Sequence, residues 1–126
     1  MSKPTVLLVD DDEAIRRVAE LTLAHLGGWE VRTVTSGPAA LDALAATELP
    51  DVVLLDMMMP GMDGAEVFRR IRADPRTADV PVVFMTAKAQ AHEVRGYVEL
   101  GVKGVIAKPF DPMTMNAQLR GILDAG

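Results

Sequence analysis

Apolar residues come in blocks along this chain. Thr5 to Val9 (TVLLV), Val52 to Leu55 (VVLL) and Val80 to Met85 (VPVVFM) are nearly continuous apolar runs. Such runs predict short strands buried on both faces, because a strand covered above and below has no side that needs polar residues. Glu30 to Val34 sets Val31 and Val34 around polar Arg32 and Thr33, and Val105 to Ala107 is a brief apolar stretch; these predict two further strands. Between the runs the apolar period lengthens to that of a helix: Ile15, Val18, Ala19 and Leu26; then Leu41 and Leu44; then Val67, Phe68 and Ile71; then Met115, Leu119, Ile122 and Leu123. A fourth helix is predicted over Ala87 to Leu100, weakened by Gly96. The punctuation agrees with these boundaries. Asp12 and Ser36 are caps, Gly27-Gly28 and Gly101 are stops, Asp74-Pro75 is a break, and Asp111-Pro112 starts the last helix.

Five strands alternating with five helices predict an α/β fold with a parallel sheet covered on both faces and right-handed crossovers. The expected architecture is a flavodoxin-like, doubly wound (βα)5 sandwich with strand order 2-1-3-4-5. At 126 residues the chain is expected to form a single domain, 1–126. In such a sheet ligands bind at the carboxyl ends of the strands. Here those ends carry Asp10, Asp11 and Asp12 after the first run, Asp56 after the third, Thr86 after the fourth and Lys108 after the fifth. The order 2-1-3-4-5 brings them to one crevice.

Composition narrows the chemistry. There are no cysteines, which removes disulfides, thiolate metal sites and cysteine catalysis. A net charge of -5 argues against holding nucleic acid by its phosphates. No signal peptide is visible and no apolar run approaches a membrane span, so a soluble, cytoplasmic domain without membrane contact is expected. Three converging carboxylates repel one another and call for a cation. An oxygen-only donor set without His or Cys favours Mg²⁺. A metal-neutralised Asp56 can then attack phosphorus, with Thr86 as hydroxyl donor and Lys108 as fixed positive charge for the phosphoryl oxygens.

VLLVDDD at Val6 to Asp12, VVLLDMMMPGMDG at Val52 to Gly64, VFMTA at Val83 to Ala87 and AKPF at Ala107 to Phe110 together resemble the receiver domains of two-component response regulators, over essentially the whole chain. The resemblance implies that Asp56 is the phosphoacceptor and that Asp10, Asp11, Asp56 and the backbone carbonyl of Met58 hold Mg²⁺. It implies that Thr86 and Lys108 contact the phosphoryl group, and that the Lys108-Pro109 peptide is cis. The implied donor is a histidine kinase or histidine phosphotransfer protein. The implied output is a downstream protein partner on the face of the last two helices and the strand between them, Ala91 to Leu123, with room for a homodimer. The chain would be no enzyme beyond its own phosphorylation and slow dephosphorylation. It departs from the family at Val105, where members usually carry Tyr or Phe; valine is stiff at χ1 and too small for the inward swing of that ring. Met58, apolar and next to the acceptor, is expected to slow hydrolysis, and Lys88 holds the other position that tunes it in this family.

Plainer roles are expected elsewhere. Asp12 and Asp111 cap helices, His25 and His92 are neither ligands nor phosphate carriers, Arg69, Arg70 and Arg72 form a solvated face, and Met57 to Met59 with Met62 fill core gaps. Competing functions are a receiver-fold interaction module that works without phosphate, a flavodoxin-like cofactor binder and an aspartate-dependent phosphatase. Acidic strand ends disfavour the second, and the third lacks a second catalytic acid. Nothing after Asp124 reads as an output domain, so the sequence fits a stand-alone receiver or a piece of a longer chain.

Overall fold

The structure is a computed structural model that describes residues 3–46 and 48–125. Five strands, β1 (Thr5–Val9), β2 (Glu30–Val34), β3 (Val52–Asp56), β4 (Val82–Thr86) and β5 (Gly104–Ala107), form one sheet. Every neighbouring pair is parallel and the order is β2-β1-β3-β4-β5, as expected from the alternation of strands and helices. The helices are α1 (Glu13–Leu21), α2 (Gly37–Ala46), α3 (Gly64–Ala73), α4 (Ala91–Leu100) and α5 (Met115–Asp124). The central strands are buried throughout because both faces are covered. Alternate positions along each strand divide between two cores: Leu7, Val9, Val53, Leu55 and Phe84 pack with α2 and α3 residues, while Val6, Leu8, Leu54, Met85 and Ile106 pack with Leu23, Met115 and Leu119. Each fully buried side chain of this size contributes about 1.5–3 kcal/mol of transfer free energy.

Several expectations are corrected. Met58, expected to fill a core gap with Met57, Met59 and Met62, is instead 66% exposed. In α1 the buried residues are Ala19, then Thr22 and Leu23, whereas Val18 and Leu26 are exposed at 42% and 58%. The helix continues over Thr22–Leu26 with π-helical turns. Their wider winding turns Leu26 away from the face that a 3.6-residue period assigns it. Helix α4 begins at Ala91 rather than Ala87: the Lys88 N–H bonds to Thr86 Oγ1, and Gln90 and Glu93 form a capping box that fixes the start four residues later. The last helix begins at Met115, because Asp111 caps a preceding turn through Met113 N–H. Arg72 is not merely solvated: its guanidinium donates to the Val80 carbonyl at 2.8 Å and lies 4.7 Å above the Phe68 ring. Asp12 and Ser36 do cap their helices, through Ile15 N–H and Ala39 N–H.

Gly64, at the first position of α3, sits against the functional loop. A Cβ there would lie 2.7 Å from the Asp56 carbonyl oxygen and 2.9 Å from Met57 Cα, both backbone atoms that cannot turn aside. Gly96, exposed in α4, has nothing within 4 Å. Gly64→Ala should therefore cost about 1–3 kcal/mol in urea unfolding. Gly96→Ala should gain roughly 0.5–1 kcal/mol. Equal effects from the two would contradict the close approach at Gly64.

Candidate functional site

Register delivers the site residues to one edge. Val9 is paired with Leu55, so the next residues, Asp10 and Asp56, end adjacent strands side by side. Asp56 is paired with Met85 and Thr86 with Ala107, so Thr86 and Lys108 each follow one step further along the edge. Asp10, Asp11, Asp56, Met58, Thr86 and Lys108 all line one crevice of about 250 Å³, together with Asp12, Ile15 and Ala87. The candidate acceptor, metal ligands and phosphoryl contacts are thus brought to the same place, while Lys88 is not among the lining residues. His25 and His92 are exposed and lie outside it.

Two of the carboxylates are buried, Asp10 fully and Asp56 with 3% exposed, while Asp11 is exposed. The Lys108 ammonium lies between the buried pair, 2.8 Å from Asp10 Oδ2 and 3.1 Å from Asp56 Oδ1. Asp10 Oδ1 accepts the Asp12 N–H at 2.9 Å, and Asp56 Oδ1 accepts the Met58 N–H at 3.2 Å. Arg16, which sequence reasoning passed over as a helix residue, donates to the Asp10 backbone carbonyl at 3.0 Å. Thr86 is 1% exposed, and its hydroxyl accepts the Lys88 N–H at 3.0 Å. The Lys108–Pro109 peptide is cis.

The electrostatics follow from this packing. Burial pushes the Asp56 carboxyl above its usual range; the Lys108 hydrogen bond pulls it down by less, and the nearby Asp10 charge adds to the rise. Burial also works against the Lys108 charge, but hydrogen bonds to Asp10 and Asp56 together with their negative charges outweigh it and hold the ammonium above its ordinary value. One carboxylate oxygen from each of Asp10, Asp11 and Asp56 lies within 4.8 Å of the others. Three ionised carboxylates against one ammonium leave two negative charges, and every donor is oxygen. This set fits a divalent hard cation such as Mg²⁺, which Asp10, Asp11 and Asp56 could hold.

Tyr97, like Arg16, is a residue near this edge that sequence reasoning missed. Its hydroxyl donates to the Lys88 carbonyl at 3.2 Å, and its ring stands edge-on to Phe84. It is the chain's single tyrosine, and nothing in its helical spacing separates it from a residue that only packs.

Because the folded-state pKa of Asp56 is raised, the fold favours its protonated form. That preference is fully present below the unfolded value of about 3.9 and is lost as pH rises through the folded value. At neutral pH, ionised Asp56 therefore opposes folding. Without divalent cation, Asp56→Asn should melt higher than the unsubstituted chain at pH 7, with the difference shrinking as pH falls toward about 4. A variant that melts lower at pH 7 would contradict this sign.

A family model described as the response regulator receiver domain matches residues 6–120. The chain is 42% identical over 120 residues to Response regulator PleD of Caulobacter vibrioides, covering 93% of this chain and 25% of that protein. It is 34% identical over 119 residues to the phosphate regulon transcriptional regulatory protein PhoB of Pseudomonas aeruginosa, covering 94% and 51%. Among solved structures, the chemotaxis response regulator CheY4 of Vibrio cholerae superposes with a TM-score of 0.85 at 30% identity, covering 96% of this chain and 99% of that one. The N-terminal domain of a response regulator receiver protein from Methanoculleus marisnigri gives a TM-score of 0.76 at 40% identity, covering 98% and 96%. The chain spans between a quarter and a half of the length of these curated relatives. Among the described residues no helix is long and apolar enough to cross a membrane.

Proposed function

The chain belongs to the response regulator receiver family, and from that premise we propose that it is a single cytoplasmic receiver domain that takes a phosphoryl group on Asp56. The observation that carries this reading is the Lys108 ammonium bridging the buried Asp10 and Asp56 carboxylates, with Thr86 lining the same crevice. The donor is a histidine kinase or histidine phosphotransfer protein, the class of partner that response regulators use. An apolar groove lined by Ala14, Ile15, Val18 and Phe110 adjoins Lys108 and offers such a donor a docking surface. The output leaves through the face formed by α4, β5 and α5.

An Asp56 oxygen attacks the phosphorus of phosphohistidine. The new P–O bond forms as the P–N bond breaks, and the departing imidazole takes a proton from solvent. Asp10, Asp11, Asp56 and the Met58 carbonyl would hold Mg²⁺, which supplies charge neutralisation at the carboxylate and the phosphoryl oxygens. Lys108 shifts its hydrogen bond from the Asp56 carboxylate to a phosphoryl oxygen, so the positive charge stays paired. Thr86 turns its hydroxyl proton toward another phosphoryl oxygen. Water later attacks phosphorus, the acyl-phosphate bond breaks, the Asp56 carboxylate returns and inorganic phosphate leaves.

The alternative is a receiver fold that docks partners without phosphate, and Val105 is the residue that favours it. A small-molecule phosphodonor with Mg²⁺ separates the two. The phosphoryl reading expects a mass gain of one phosphoryl group that needs Mg²⁺ and disappears in Asp56→Ala. No gain at saturating donor would leave the docking module. Met58 is 66% exposed at the crevice, and its thioether offers an attacking water no strong hydrogen bond. Met58→Asn should lose phosphate several-fold faster, measured by decay of the phosphorylated mass; an unchanged rate would count against a role for Met58.

A further inference from the structure

A chain of hydrogen bonds leads from the crevice to α4. Thr86 Oγ1 accepts the Lys88 N–H at 3.0 Å, and the carbonyl of the same Lys88 accepts the Tyr97 hydroxyl at 3.2 Å. The exposed Lys88 therefore has both backbone groups committed, one to the strand end and one to the helix. Helix α4 itself buries no residue. Its half-buried Tyr97 packs against the core, ring edge-on to Phe84 with centroids 5.5 Å apart and planes at 84°. Phe84 stands in the same relation to Phe68, at 6.0 Å and 76°.

Val105 is the register partner of Phe84, so the two side chains share a face of the sheet. Tyr97 and Val105 both pack against the same core cluster on that face. A bulky ring at 105 would compete with Tyr97 for the space beside Phe84. A small residue there leaves the place over Phe84 to a ring that comes from α4 instead of from β5.

We infer that Tyr97 is the positioning residue that couples Thr86 to α4, reading the state of the crevice through the two backbone groups of Lys88. The inference rests on Asp56 being the phosphoacceptor. When Thr86 turns toward a phosphoryl oxygen, its Oγ1 moves from the Lys88 N–H. The Lys88 peptide then reorients, the Tyr97 hydroxyl loses its acceptor, and the ring moves against Phe84, carrying α4 with it.

Tyr97 is the chain's single tyrosine, so ring-labelled tyrosine gives one residue's signal in carbon-detected magnetic resonance of the whole chain. The probe is beryllofluoride with Mg²⁺, and its bound fluorine resonance reports occupancy of Asp56 separately. At saturation the tyrosine ring signal should shift. In Thr86→Ala, titrated with beryllofluoride until its fluorine signal stops growing, the tyrosine shift per bound fluoride should fall to a small fraction. In Tyr97→Phe the amides of residues 91–100 should lose most of their response, while those around Asp56 keep theirs. A bound fluorine signal beside a silent tyrosine overturns this inference and leaves the phosphoacceptor reading intact, as does a full α4 response in Tyr97→Phe. Failure of beryllofluoride to bind the unsubstituted chain removes both.

Discussion

Two carboxylates buried side by side with one ammonium between them set the terms for the rest of this molecule. Removing a carboxylate from water costs several kcal/mol even after relaxation, and a second one alongside adds repulsion. Lys108 offsets this by meeting Asp10 and Asp56 together, at 2.8 and 3.1 Å. The cluster still carries excess negative charge once Asp11 is counted. Such a site is unfinished: the fold bears a cost that a divalent cation can relieve. Differential stabilisation of the loaded state is what allows a ligand to shift a conformational equilibrium.

Holding that cluster needs rigid supports, and the parallel sheet provides them. Asp10 and Asp56 each follow a run of fully buried residues, so neither strand end can slide without moving a core side chain into water. Gly64 adds a second restraint, because only a residue without Cβ lets α3 start against the Asp56 carbonyl. Asp56 is therefore clamped from its own strand and from the helix that follows its loop. The Asp56 side chain meanwhile stays accessible from the crevice lined by Met58 and Thr86.

The sheet and the edge chemistry were legible because each rests on a strong local signal. Continuous apolar runs ending in Asp10, Asp56 and Thr86 leave little choice about which end of each strand meets the crevice, and the alternation with helices then fixes the order. What escaped were features set by side chains meeting over long range. Leu26 turned outward because the π-helical turns at Thr22–Leu26 break the 3.6-residue period on which the expectation rested. The start of α4 moved to Ala91 because Thr86 and Glu93 bond to backbone that propensity alone would give to the helix. Arg72 looked like its neighbours in sequence, but its guanidinium finds the Val80 carbonyl and the Phe68 ring, partners visible only in three dimensions. Tyr97 escaped for the same reason.

The division between what is held tightly and what is held loosely bears on how little energy a signal needs here. A partly exposed hydrogen bond such as Tyr97 to Lys88 contributes about 0.5–1.5 kcal/mol, and about 1.4 kcal/mol changes a population ratio tenfold. Against β3, where every side chain is buried, a change of that size would move nothing. Against α4, which buries no residue, the same change weighs more. Val105 strengthens the point, since a χ1-stiff residue paired with Phe84 gives β5 no side chain that can respond by rotating. The response therefore falls to the 87–90 loop and α4, where a single bond made or lost is enough to bias the outcome.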